Sequence, residues 1–327
     1  MRPDALPSTH TVQNQTPPLV DYNMYHGDTA LKEAVQREGA AWADAQIAAH
    51  GARTGSAEVL QWGEQANEFK PQFHSHDRFG NRVDLVKYHD GYHNLMALAL
   101  DSGLHASAWT APQQGAHVAR AAMSMLQAQV DAGHGCPLTM TFAAVPALQT
   151  TPTIAQEWLP KILAHGYDPR NVPHMDKQAV TIGMGMTEKQ GGSDVRANTT
   201  QAYALGKTGA GEAYELIGHK WFTSAPMCDW SLMLAQSVGG LSCFLVPRWQ
   251  PDGSKNPMQV QRLKNKMGNV SNASSEIELR NALGWMVGDE GRGVAQGGGV
   301  VDEAVGQGAR VGHDVEGVQV LLERVGR

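Results

Sequence analysis

The feature that most constrains this chain is a change in the spacing of its apolar residues near residue 179. Between residues 28 and 178, apolar side chains recur at three- and four-residue steps, the spacing of one helix face. After residue 179, runs rich in Val, Ile, Leu, Tyr and Thr alternate with glycine-bearing turns, as strands do. The sequence therefore predicts an α+β fold, with an all-α N-terminal domain followed by a compact antiparallel β domain.

The same patterns divide the chain into four segments. Residues 1–27 are predicted to form an irregular N-terminal arm, residues 28–178 the helical domain and residues 179–294 the β domain. Residues 295–327 are rich in glycine and valine and contain no aromatic residue. Glycine opposes helix formation by ~1 kcal/mol per residue relative to alanine, so we predict an atypical tail there.

Individual elements follow from caps and breakers. Helices are predicted at 28–51, 56–70, 90–101, 113–131 and 153–165, with a buried, uncharged run at 136–148. Strands are predicted at 179–182, 276–279 and 285–287, with hairpins pairing 199–205 with 213–217 and 230–236 with 241–246.

Composition excludes several classes of protein. A chain of 327 residues with 42% hydrophobic content can bury a large core. No apolar run approaches the ~20 residues that a membrane span needs, and the N-terminus lacks a signal-peptide pattern. We therefore expect a cytoplasmic protein without a membrane partner.

Charge, cysteine and histidine patterns point away from nucleic acid and metal. The net charge is −6, and the basic residues are scattered. The three cysteines form no CxxC pair, and His74 and His76 have no third partner at helical spacing. We expect ordinary thiols, solvated histidines and no metal site.

Residues 183–200, called the anchor segment below, are polar and glycine-bearing and lie between two apolar runs. Gly191 and Gly192 allow a ligand to approach the backbone closely, and Thr187 and Ser193 offer hydroxyl groups. Such a loop suits an anionic or carbonyl-rich ligand, while an ordinary surface turn is the simpler alternative.

The anchor segment resembles the signature of the acyl-CoA dehydrogenases, which are FAD-dependent flavoenzymes. Residues 185–197 fit every position of that signature, and the wider Met-Thr-Glu-Lys-Gln-Gly-Gly-Ser-Asp-Val string resembles the branch associated with the bacterial response to DNA alkylation. The resemblance extends from about Thr11 to Val294. It implies an FAD cofactor and an acyl-CoA substrate, and a homo-oligomer for the complete members of the family rather than for this chain.

By this resemblance the anchor segment contacts the flavin. Met186 and Thr187 meet the isoalloxazine through backbone N–H and hydroxyl groups, Gly192 permits close approach, and Ser193 lies near the pyrophosphate or the acyl-CoA. The carboxylates of Glu188 and Asp194, which also lie in the anchor segment, are interpreted as loop-stabilising groups.

Residues 218–224 resemble the family's second flavin segment. The resemblance implies that Trp221, followed by Phe222, packs against the flavin and that the hydroxyl of Thr223 lies near N5. An aromatic wall and hydrogen-bond donors suit an isoalloxazine. The alternative for the two rings is a strand core pair.

A third segment, residues 262–273, resembles the family's sequence before the last strands. Its basic residues, Arg262, Lys264 and Lys266, are interpreted as a solvated face, so duplex DNA binding is expected to be weak and salt-dependent.

The resemblance stops after Val294. Family members take their proton-abstracting carboxylate from a C-terminal helical bundle, so we predict that this chain lacks both, through a frame shift or truncation; a divergent natural tail is the alternative. The catalytic residue is therefore unknown, and the chain is expected to be inactive. A DNA-associated flavoprotein and a non-catalytic remnant are the competing functions.

Overall fold

The computed structural model describes residues 9–192 and 194–294, and the predictions for residues 1–8, Ser193 and the 295–327 tail lie outside the described residues. The N-terminal part is mainly helical. Its helices are α1 (Met24–Gly27), α2 (Thr29–Arg37), α3 (Asp44–Thr54), α4 (Ala57–Glu68), α5 (Asp90–Asp101), α6 (Ser107–Thr110), α7 (Ala116–Ala128), α8 (Gly135–Gln149) and α9 (Pro152–Ile162).

The predicted helix at 28–51 is two helices. Asp28 caps α2 by accepting a 2.9 Å hydrogen bond from the N–H of Leu31, as its sequence position predicts. Gly39 then adopts φ 81°, a left-handed conformation that ends α2, and a 3₁₀ turn at Ala41–Ala43 leads into α3. The helical period continues across this break, so sequence spacing does not reveal it.

The prediction of an all-α N-terminal domain is wrong in one place. Strands β1 (Gln72–His76) and β2 (Arg82–Lys87) form an antiparallel hairpin between α4 and α5. Asp77 orders the turn, because its carboxylate accepts hydrogen bonds from the N–H groups of Phe79 (2.8 Å) and Asn81 (2.9 Å). β1 contains one apolar residue and β2 only three, so two strands this short give little periodic signal.

The apolar run at 136–148 is the buried helix α8. Pro146 lies inside it and lacks the N–H that would bond the carbonyl of Phe142. The indole N–H of Trp109 donates to that carbonyl at 2.9 Å instead. This tertiary contact satisfies the group that the proline leaves open, so the helix continues past it.

The β domain is a seven-stranded sheet in the order β3-β5-β4-β6-β7-β9-β8. Its strands are β3 (Ile182–Gly185), β4 (Gln201–Ala204), β5 (Ala213–Ser224), β6 (Trp230–Ser237), β7 (Gly240–Pro247), β8 (Met258–Leu263) and β9 (Ser274–Val287). The two predicted hairpins appear as β4–β5 and β6–β7.

The prediction of a purely antiparallel sheet is wrong, because the sheet is mixed. β3 runs parallel to β6, with Ile182 opposite Trp230 and Gly185 opposite Met233. The β4–β5 hairpin intervenes between them in sequence, so β6 can return beside β3 in the same direction. The two predicted late strands are one strand, β9, in which a bulge at Asn281 (φ 62°) interrupts the alternation.

Two apolar cores support the strands that carry the site. One fills the space between α8, α9 and the sheet, and includes Ile182 and Leu232. The other lies on the opposite side of the sheet, around Met233 and Phe244. No helix in the described ranges is both long enough and apolar enough to cross a membrane.

Candidate functional site

The structure brings the anchor segment against β5. Three consecutive anchor residues bond three consecutive residues of β5. The contacts are Thr187 O with Trp221 N (2.8 Å), Glu188 Oε1 with Lys220 Nζ (2.8 Å) and Lys189 N with His219 Nε2 (3.0 Å). The two segments therefore form one surface.

The ion pair of Glu188 with Lys220 lies beneath this surface and stabilises it, and both side chains are fully buried. The carboxylate of Glu188 also accepts hydrogen bonds from the N–H of Thr199 (2.7 Å) and of Thr200 (3.1 Å). Burial by itself would raise the pKa of Glu188, but the charge of Lys220 and these hydrogen bonds lower it to about 2. The loop-stabilising role predicted for Glu188 is confirmed.

The anchor backbone is held from both sides. The carbonyl of Met186 accepts a 2.7 Å hydrogen bond from the side-chain amide of Asn198, and Met186 itself is half-buried. Gly192 is exposed, and a Cβ there would lie 2.9 Å from Cγ2 of Thr187. Glycine is thus required for this close loop closure. Ser193 is outside the described residues.

The two aromatic residues differ in accessibility. Trp221 is half-buried, and the ammonium of Lys264 lies 3.1 Å from its ring centroid. Phe222 is 43% exposed, with the same ammonium 4.5 Å from its ring. Lys264 therefore occupies one face of Trp221 in a cation–π contact, and Phe222 is the more open ring.

Thr223 does not present its hydroxyl to this surface. It is 1% exposed, and its hydroxyl has no hydrogen-bond partner in the part of the chain that the structure describes. A Cβ added to Gly185 would lie 3.1 Å from that hydroxyl. The Thr223 side chain therefore points to the same side of the sheet as a side chain at position 185 would. Ser224 pairs with Met184 and lies on the opposite face, which faces α8.

The basic segment is not simply a solvated face. The side chain of Lys264 is only 9% exposed and pairs with Glu276 at 2.8 Å, while the exposed Arg262 pairs with the same carboxylate at 2.7 Å. Lys266 donates to the carbonyl of Asn272 at 2.8 Å. Lys264 and Lys266 thus make internal contacts, so the prediction of a solvated face is wrong for these two residues. The segment has little positive charge that is free to bind a partner.

Sequence reasoning missed Lys220 and Lys264 as site residues. Lys220 stands directly before the recognised aromatic pair, and its burial against Glu188 could have been suspected from the complementary charges. Asp194, predicted to stabilise the loop, is exposed, and its side chain accepts no hydrogen bond among the described residues. Across those residues, no cluster of three or more His, Cys, Asp or Glu side chains could hold a metal ion.

Two family models match successive parts of this chain. The family model of the adaptive response protein AidB N-terminal domain matches residues 14–169, and that of the acyl-CoA dehydrogenase middle domain matches residues 183–282. AidB of Escherichia coli strain K12, whose name assigns it to the acyl-CoA dehydrogenases, is 49% identical over 288 residues. The chain belongs to the acyl-CoA dehydrogenase family. The anchor segment and β5 both fall within its middle-domain match.

The chain is also similar to a second curated protein and to solved structures. Acyl-CoA dehydrogenase family member 11 of Caenorhabditis elegans is 30% identical over 298 residues. A crystal structure of C. elegans ACDH-11 in complex with C11-CoA superposes with a TM-score of 0.77 at 27% identity, over 91% of this chain and 52% of that one. An acyl-CoA dehydrogenase from Bacillus anthracis complexed with FAD shares the fold (TM-score 0.54, 15% identity, 87% of this chain and 40% of that one).

The match covers most of this chain but only part of its relatives. It includes 88% of this chain and 52% of E. coli AidB, and 86% of this chain and 47% of the C. elegans protein. The chain therefore spans about half the length of the curated relatives it matches.

Proposed function

We propose that this chain is the flavin-binding part of an acyl-CoA dehydrogenase-like oxidoreductase of the AidB type, with FAD as its cofactor. The observation that carries the proposal is the bonding of residues 187–189 to residues 219–221, which joins the two flavin segments into one surface. FAD is the cofactor expected of the family.

The residues present fit an isoalloxazine. Phe222 supplies an exposed flat apolar wall, and the close packing of Gly192 on Thr187 holds the loop near it. Lys264 adds a positive charge beside the wall, which favours an electron-rich reduced ring. On the α8 side of β5, Ser224 rather than Thr223 is placed to offer a hydroxyl.

When bound, FAD would accept a hydride from the CH–CH bond of a short or branched acyl-CoA. The chain's own groups orient the ring and exclude water from one side of it. Glu188 is unsuited to remove a substrate proton, because it is buried, ionised and paired with Lys220. We therefore expect the 327-residue chain to show no dehydrogenation of branched or straight short-chain acyl-CoA thioesters, and clear reduction of an electron acceptor would contradict this.

Flavin binding tests the assignment directly. Phe222→Ala should weaken FAD affinity at least roughly tenfold, because an aromatic ring contact contributes on the order of 1 kcal/mol beyond the area that it buries. The matched control is Phe79→Ala, since Phe79 is 73% exposed and lies in the β1–β2 turn. Equal FAD retention in both variants, measured by flavin absorbance after gel filtration, would refute the proposed contact between Phe222 and the flavin.

A further inference from the structure

A cavity of about 250 Å³ lies where the helical part meets the sheet. Its walls come from β2, α5, the first turn of α8, the loop at 167–171 and the ends of β6 and β7 nearest to Asp229 and Arg248. Because β3 and β6 run parallel, this is the end of the two strands opposite to the anchor segment. None of the residues proposed to contact the flavin lines it.

Arg248 gives the cavity a buried positive charge, and the nearby carboxylates of Asp229 and Asp84 favour its charged form without contacting it directly. It is 9% exposed and donates to two neutral acceptors, the carbonyl of Met227 at 3.2 Å and the amide oxygen of Asn171 at 2.6 Å. Within the described ranges no carboxylate forms an ion pair with Arg248, whereas the neighbouring Lys177 is paired with Asp229 at 2.8 Å. A guanidinium has five N–H donors, so Arg248 can bind a further acceptor.

A phenol group lies beside this charge. The hydroxyl of Tyr88 is buried in the cavity wall and has no hydrogen-bond partner among the described residues, although buried hydroxyls are normally bonded. Its ring is fixed by stacking on Tyr92, with 4.2 Å between the ring centroids. The neighbouring phenol of Tyr167, by contrast, is bonded to His93 at 3.0 Å. Tyr88 is thus held in place with an unused donor.

The rest of the wall is partly apolar and partly polar, since the carboxylates of Asp168 and Asp229 also line it, each already paired with a cation. Val86, Met96 and Pro137 line the interior, where they would contact a hydrocarbon group. Lys87 is exposed at the rim, where its charge would attract an anion from solvent. The cavity therefore combines the guanidinium of Arg248, the free phenol of Tyr88 and an apolar surface with two carboxylates that are already engaged in ion pairs.

We propose that this cavity binds a small organic carboxylate. The planar guanidinium of Arg248 matches the two oxygens of a carboxylate, and the hydroxyl of Tyr88 donates a further hydrogen bond. The hydrocarbon part of the ligand lies against the apolar wall. The carboxylate could belong to a free acid or to the far end of an acyl thioester, and the two sources share this chemistry.

The test is calorimetric titration of the 327-residue chain, without added flavin, with sodium hexanoate and with hexan-1-ol as the uncharged probe. We expect saturable binding of hexanoate and none of hexanol. Tyr88→Phe should weaken hexanoate roughly tenfold, because it removes a single hydrogen bond to a charged group. Arg248→Gln should abolish the binding.

Two control variants separate binding from folding. Tyr203→Phe changes a phenol that is 54% exposed, and Arg280→Gln changes a guanidinium whose side chain is 63% exposed. Both should bind hexanoate as the wild type does, and thermal melting identifies any variant that fails to fold. Absence of hexanoate binding by the wild type, or equal binding by the folded Tyr88→Phe variant, would overturn the proposal.

The source of the carboxylate follows from a competition experiment. If the glutaryl thioester of N-acetylcysteamine displaces hexanoate and the hexanoyl thioester does not, the carboxylate is the end of an acyl substrate. If neither thioester displaces it, the ligand is a free acid. FAD binding is measured separately, so loss of one activity does not imply loss of the other.

Discussion

Two buried lysine–carboxylate pairs lie at opposite ends of the parallel strands β3 and β6. Glu188 pairs with Lys220 beside the anchor segment, and Asp229 pairs with Lys177 beside the cavity. Both pairs have an Nζ–O distance of 2.8 Å and almost no solvent exposure. By ion-pair geometry alone they are equivalent.

The pKa values of the two carboxylates are shifted in opposite directions. Glu188 accepts additional bonds from the anchor segment's own backbone and side chains, and its pKa is lowered. Asp229 has one backbone donor, the N–H of Thr181 at 3.0 Å, and burial raises its pKa despite Lys177. The number of fixed donors therefore decides whether a buried charge is stable, and the better-satisfied pair lies under the candidate flavin surface.

The largest expected effect is that of Glu188→Gln. The substitution leaves the ammonium of Lys220 buried without its carboxylate, which typically costs about 3–5 kcal/mol of unfolding free energy. Urea denaturation measures the loss. The control is Glu278→Gln at an exposed pair with Arg280, where a change below about 1 kcal/mol is expected. Similar losses in both variants would show that the buried Glu188 pair contributes no more to the free energy of unfolding than an exposed pair does.

Asp229→Asn should destabilise the protein less, by about 1–2 kcal/mol. The asparagine carbonyl can still accept from the N–H of Thr181, and a neutral group suits a site where burial already disfavours the charge. Lys177 keeps its 3.0 Å bond to the carbonyl of Asp168. A loss equal to that of Glu188→Gln in the same urea experiment would remove the distinction between the two ends.

Acid should affect the two carboxylates with opposite sign. Glu188 has a folded pKa of about 2, below its ordinary value of 4.5, so its contribution to stability is present above about pH 4.5 and is lost as the pH falls toward 2. The raised pKa of Asp229 makes its contribution larger at low pH and smaller as the pH rises through that pKa. Denaturation experiments between pH 2 and 6 measure this difference. As the pH falls, the free energy of unfolding should decrease less steeply in Glu188→Gln than in the wild type, and more steeply in Asp229→Asn.

The smallest effect is expected at the pair of the exposed Arg262 with the buried Glu276. Its arginine side chain is 64% exposed, so Arg262→Gln should change the unfolding free energy by less than about 1 kcal/mol. The same variant should barely change duplex DNA affinity, which we expect to be weak and salt-dependent. Tight DNA binding that survives moderate salt and is lost in this variant would contradict that expectation and favour a DNA-associated function.

Much of the architecture could be predicted from the sequence, because periodicity and local caps are local properties. The change of period near residue 179, the cap at Asp28 and the two hairpins of the β domain all follow from neighbouring residues. The anchor segment and the second flavin segment were also recognisable, since their residue types and spacing lie within short stretches.

Only the tertiary structure decided how distant residues are paired and which way their side chains point. Lys220 is 32 positions from Glu188, and nothing local requires the two to meet. The parallel pairing of β3 with β6 depends on the path of the intervening hairpin. A register shift in β5 between Lys220 and Thr223 turns the hydroxyl of Thr223 into the interior, because one extra residue reverses the side to which the following side chains point.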